Sequence, residues 1–207
     1  MSSEVLELQS NEEIAENEIS IEELERILHE SGVSTEGWGT EEAKTIELLL
    51  EEVNSGETIL EKVGGVLIRK TRVARSRIYY LEGDDAVHRL SEDRQVFKSD
   101  GRTRSKKFEQ AVGEKIRINE DPDEAMIRGI HEELAIDGEI DFRPKGIHFE
   151  KGPSYSYPGL TTEQTMYDFE AILNDNQYNP NGYIEEGETL TTYFIWKEIS
   201  ELDLPHD

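Results

Sequence analysis

Two adjacent carboxylates, Glu132 and Glu133, stand in the segment RGIHEELAI, residues 128–136, one helical turn after Arg128. On a helix, Arg128 and Glu132 are i and i+4, and Glu120 and Glu124 extend the same row toward the N-terminus. That row would hold Arg128 between Glu124 and Glu132. Glu133 falls on the neighbouring row, beside Gly129, which has no side chain to offer. Paired carboxylates suit a hard divalent cation such as Mg2+ or Mn2+, which takes oxygen ligands and needs only one or two from the protein when a phosphate supplies others. In so acidic a chain the same residues could equally form a solvated helix laced with ion pairs. Glycine inside a helix is disfavoured by about 1 kcal/mol against alanine. Gly129 therefore needs a reason, and close packing of another strand or of a ligand against it would be one.

Other chemistries are narrowed by what is missing. There is no cysteine, which excludes disulfides, thiolate zinc sites and cysteine nucleophiles. The five histidines, His29, His88, His131, His148 and His206, have no ligand spacing, and no phosphate-cradling GxxxxGK occurs. The formal charge of -25 is unevenly spread: residues 1–61 carry 18 acids and 2 bases, 62–128 carry 12 and 16, and 129–207 carry 17 and 4. A field this negative repels polyanions, so nucleic acid is disfavoured as a partner, and a small phosphorylated ligand is the better match to a local basic patch. Arg69, Arg72, Arg75, Arg77, Arg102, Arg104, Lys106 and Lys107 could line such a patch or pair with acids across a sheet. Tyr155, Tyr157 and Tyr167, around a Pro158-Gly159 turn, could stack on a flat ligand or pack a hairpin; Trp38 and Trp196 read as core.

The elements that must position these residues follow from periodicity. A helix is predicted from Ile21, with Leu24, Ile27 and Leu28 on one face and Gly32 as its stop. A second is capped by Thr40, with Glu41 and Glu42 in its first turn, and buries Ile46, Leu49, Leu50 and Val53. Residues 1–10 are expected to be disordered. From Leu60 the pattern turns to strands: GGVLIRK and SRIYYLEG are separated by the charged TRVARS, and AVHRLSEDRQVF runs into an SDGR turn. KKFEQAVGEKIRI reads as strand and loop. The helix bearing Glu132 and Glu133 is capped by Asp121 or Asn119, accepts Pro122 in its first turn, and buries Ala125, Met126, Ile130 and Leu134. EIDFRPKGIHFE, TMYDFEAIL and TTYFIWKEI read as strands, and EISELDL as a terminal helix or tail. No apolar run approaches the ~18 residues of a membrane span, and residues 1–20 lack a secretory pattern, so a cytoplasmic protein is expected.

The segment GEKIRINEDPDEAMIRGIHEELAI resembles the box of the Nudix family: a glycine, five residues, a glutamate, seven residues, then Arg-Glu-apolar-any-Glu-Glu-any-Gly-apolar. Glu120, Arg128, Ile130, Glu132, Glu133 and Ile136 are in register with it. Glu114 occupies the place of the first glycine, Gly129 that of the glutamate after the arginine, and Ala135 that of the last glycine. The resemblance implies an α+β fold, a Nudix-like α/β/α sandwich with a mixed sheet over residues 59–207, preceded by a helical segment at 11–58. It implies Glu132 and Glu133 as catalytic metal ligands, Arg128 as their organiser, and Glu120 as a further ligand, for Mg2+ or Mn2+. A compensating acid could come from Glu114, Glu120, Glu185, Glu186 or Glu188. The implied activity is hydrolysis of a nucleoside diphosphate derivative or other diphosphate compound. The alternative is a catalytically impaired module that senses a ligand or binds a protein partner, aided by the acidic N-terminal helices.

Overall fold

In the computed structural model the described residues are 12–13, 18–40, 43–82, 86–105 and 111–199. The disorder expected at 1–10, the first-turn pair Glu41 and Glu42, Lys106, Lys107 and the terminal helix or tail beyond residue 199 fall outside them. The architecture is α+β, and the chain divides into two compact units. One comprises the chain up to Arg72 with Arg117–Asn119 and Phe149–Thr165; the other comprises Val73–Ile116, Glu120–His148 and the chain from Met166 onward.

In the first unit, helix α1 (Ile21–Glu30) is capped by the Ser20 side chain, and Gly32 takes a positive φ of 71° just past its end, as a helix stop requires. Helix α2 (Ile46–Asn54) starts later than predicted: its cap is Thr45, which accepts from the Leu48 N–H, and not Thr40. Thr40 instead donates its hydroxyl to the Gly37 carbonyl. Strand β1 (Glu12–Glu13) pairs with β2 (Thr58–Val63), which pairs antiparallel with the start of β3 (Val66–Glu82). Gly64 and Gly65, read from sequence as strand, are the hairpin turn, with φ of 58° and 83°. A two-residue turn of this hand needs φ > 0 at both positions, which only glycine supplies freely. The core joins Leu24, Leu28 and Leu49 of the helices to Leu60, Leu67, Tyr157 and Leu160. The helices thus share a core with residues well beyond the boundary expected near residue 58.

In the second unit, β3 continues without a break through TRVARS. Ala74, Ser76 and Ile78 are buried while Arg75 and Arg77 between them are not, a two-residue alternation in which the charges occupy the opposite face. This part of β3 pairs with β4 (Ala86–Phe97) and β6 (Val112–Lys115). β4 pairs with β5 (Thr103–Arg104) and with β10 (Leu190–Ile199), which pairs with β9 (Tyr183–Glu186). β7 (Asp141–Pro153) pairs with β8 (Thr161–Leu173), and both strands run from one unit into the other. Helix α3 (Pro122–Leu134) buries Ala125, Met126, Ile130 and Leu134 against Ile78, Leu90, Val112, Ile116 and Phe169, the face its sequence period predicts. No helix among the described residues is long and apolar enough to cross a membrane.

Candidate functional site

Helix α3 begins with a reciprocal cap. The Asp121 side chain accepts from the Asp123 N–H at 3.0 Å, and the Glu124 carboxylate accepts from the Asp121 N–H. This use of Glu124 changes the surroundings of Arg128. The sequence row places Arg128 between Glu124 and Glu132; instead its guanidinium grips both oxygens of Glu120 at 3.0 Å, donates to the Lys115 carbonyl at 2.8 Å and meets Glu114 at 2.8 Å. Glu132 stands farther off at 3.6 Å, with about half its side chain exposed. Glu120, above all, and Glu114 hold the guanidinium in its charged form, more firmly than usual, against the opposing effect of burial. Arg128 therefore engages Glu120 and Glu114 more closely than Glu132 ahead of it on the helix.

Glu133 lies on the next row, partly buried. Burial raises its carboxyl, and the charges of Glu185, Glu114 and Glu92 add to this, carrying it up to about 8; a hydrogen bond from the Gly113 backbone pulls the other way. These charges are carried on β9, β6 and β4 of the second unit. Of the compensating acids weighed from sequence, Glu185 and Glu114 act on Glu133, whereas Glu186 pairs with Lys98 at 2.9 Å and accepts from Thr191. Glu92 was not anticipated from sequence. It lies in SEDRQVF, and nothing local sets it apart from the exposed acids of neighbouring strands.

Gly129 is buried where α3 packs on β6. A Cβ built there would lie 2.7 Å from the Cβ of Glu114, 3.2 Å from its Cγ and 3.3 Å from Val112 Cγ1. Real Cβ atoms do not approach so closely. The missing side chain is therefore explained by strand packing, and the strand residue responsible is a glutamate.

The donor type suits a hard divalent cation: Glu133 is a partly buried carboxyl whose charge is disfavoured by burial and by other carboxylates, and such an ion would relieve that repulsion. Among the described residues, no three His, Asp or Glu side chains converge as an all-protein metal site. Such a set suits an ion that keeps waters or phosphate oxygens as further ligands. Of the ligands implied by the resemblance, Glu133 lies among the acids, Glu132 is half exposed beside Arg128, and Glu120 has both oxygens engaged by that arginine.

The other candidates separate clearly. Arg69 pairs with Glu52, Arg75 with Asp168 and Arg102 with Asp100, so these members of the basic segment are matched by acids. Tyr157 is fully buried, its ring 5.2 Å from that of Trp38, while Tyr155 is almost wholly exposed. His131 faces Asp137 at 2.8 Å, on the exposed side of the helix.

No protein-family model matches the chain, and no curated protein matches it. Among solved structures it is similar to DR0079 from Deinococcus radiodurans, with 16% identity and a TM-score of 0.32 over 59% of this chain and 66% of that one. It is similar to the C. elegans Ap4A hydrolase, with 13% identity and a TM-score of 0.34 over 62% and 80%. The third is a Nudix-family hydrolase from Clostridium perfringens, with 17% identity and a TM-score of 0.32 over 61% and 79%. Likeness at this level bears on neither site nor ligand. The chain is similar in structure to a Nudix hydrolase over 61% of its length.

Proposed function

We propose that this chain binds a small diphosphate compound, such as a nucleoside diphosphate derivative, through a divalent cation at the acids around Glu133, and hydrolyses its diphosphate bond. The supporting observation is Glu133 itself, a partly buried acid pushed up to about 8 by burial and by the charges of Glu185, Glu114 and Glu92. A fold keeps such an acid only if a proton or a cation compensates it. Glu133 and Glu185 would hold Mg2+ or Mn2+, with Glu114 and Glu92 close by. Once bound, the ion would neutralise charge developing on the phosphoryl oxygens and make an attacking water more acidic. Arg128 keeps Glu120 and Glu114 fixed, so the acids need not reorganise when ligand arrives. Glu132, on the exposed side of the row, is within reach of a ligand's own cation. In the reaction, water oxygen bonds to one phosphorus as the bond from that phosphorus to the bridging oxygen breaks, and the bridging oxygen leaves with the second phosphate group.

The test is turnover of a panel of diphosphate compounds with Mg2+ or Mn2+. Glu133→Gln, which keeps shape and removes charge, is expected to lower the rate by about a thousandfold. Wild-type turnover that survives this change would contradict the assignment.

One observation favours a second reading, a non-hydrolytic module that binds the same ligand class. Glu120 is fully engaged by Arg128, and no three ligand-type side chains among the described residues converge as a metal site. That reading predicts cation-dependent binding without turnover, weakened by Glu133→Gln. The acidic helices α1 and α2 would then be a surface for a protein partner.

A further inference from the structure

Position 129 of α3 and position 114 of β6 compete for one volume. The Cβ of Glu114 and the Cβ that any residue but glycine would place at 129 lie 2.7 Å apart, so a glutamate grown from either backbone starts in the same space. Only one of the two positions can carry a side chain, and in this chain it is the strand position. The carboxylate that enters there is well placed. It ion-pairs with Arg128 at 2.8 Å, each side chain being about one-sixth exposed, and its charge also acts on Glu133. The sequence shows the same exchange, since residue 114 is an acid where the Nudix pattern has glycine, and residue 129 is glycine where that pattern has an acid.

Resting on the reading that the acids round Glu133 hold a divalent cation, we propose that Glu114 is the carboxylate α3 lacks at residue 129, brought in from β6, and that the two positions are exchangeable. The exchange conserves both volume and charge. Gly129 is then the consequence of Glu114, and the site keeps its acid.

Full-length wild type, Glu114→Gly, Gly129→Glu, the double variant and Glu114→Gln would be compared by melting temperature without cation and by Mn2+ affinity from electron paramagnetic resonance. Gly129→Glu alone overpacks the contact and is expected to melt roughly 5 °C lower. Glu114→Gln, which keeps the volume, introduces no overpacking and should bind Mn2+ about 10- to 100-fold more weakly. The double variant should regain most of both losses, in melting temperature relative to Gly129→Glu and in affinity relative to Glu114→Gly. Simple addition of the two single effects would overturn the exchange. Wild-type Mn2+ affinity in Glu114→Gln would overturn Glu114's part in holding the cation while leaving the cation site standing. A wild type that binds no Mn2+ would overturn the cation reading itself, and this proposal with it.

Discussion

Glu133 is subject to two opposing influences, and their balance sets its titration. Burial and three acids push its carboxyl up to about 8, and the Gly113 N–H only partly offsets them. Because this lies above the ordinary 4.5, the folded protein keeps a proton that the unfolded chain has released between those two values. The contribution of Glu133 to stability is therefore fully present below about pH 4.5 and is lost as pH rises through about 8, by an amount on the order of a few kcal/mol. Denaturant unfolding with a chelator present should show this decline, and Glu133→Gln should flatten it; an unchanged slope in the variant would contradict the burial and crowding described. At this scale the sequence was partly legible. The spacing identified Glu132, Glu133, Arg128 and Glu120, but spacing along a helix cannot show that Glu124 is spent on the cap or that Glu92 arrives from β4. Those depend on tertiary pairing.

Helix α3 ends on a residue unsuited to its conformation. Ala135 sits in the left-handed region, φ 52° and ψ 36°, with its N–H bonded to the His131 carbonyl. A Cβ there costs about 1 kcal/mol relative to glycine, the residue that usually closes a helix in this way. Ala135→Gly is expected to stabilise the protein by about that amount in urea unfolding; a loss of stability would mean that the alanine methyl makes a contact worth more than the strain. The end of α3 was legible from the motif, where Ala135 takes a glycine's place, and its start from Asp121 and Pro122. The strands were less so. TRVARS reads as a break because it is charged, yet its alternation carries β3 straight through, and Thr40 looks as good a cap as Thr45 until the bond to Leu48 is seen. Local polarity cannot tell a sheet's outer face from a loop.

Over the whole chain, 47 acids face 22 bases. Partly buried acids that act on one another, as at Glu133, are a different matter. The basic middle segment, which could have formed an anion site, places Arg69, Arg75 and Arg102 against Glu52, Asp168 and Asp100. Charge distribution was visible in the sequence, but pairing was not, since Arg75 meets Asp168 across 93 residues. The central claim is that a divalent cation selects this group over the many other acids. It is tested most directly by adding Mn2+, well below one equivalent, to protein labelled at glutamate carboxyl carbons and following paramagnetic broadening by NMR. The account predicts that Glu133, Glu185, Glu114 and Glu92 broaden first and that Glu133→Gln removes this early phase. Broadening spread evenly over exposed glutamates and indifferent to that substitution would contradict it.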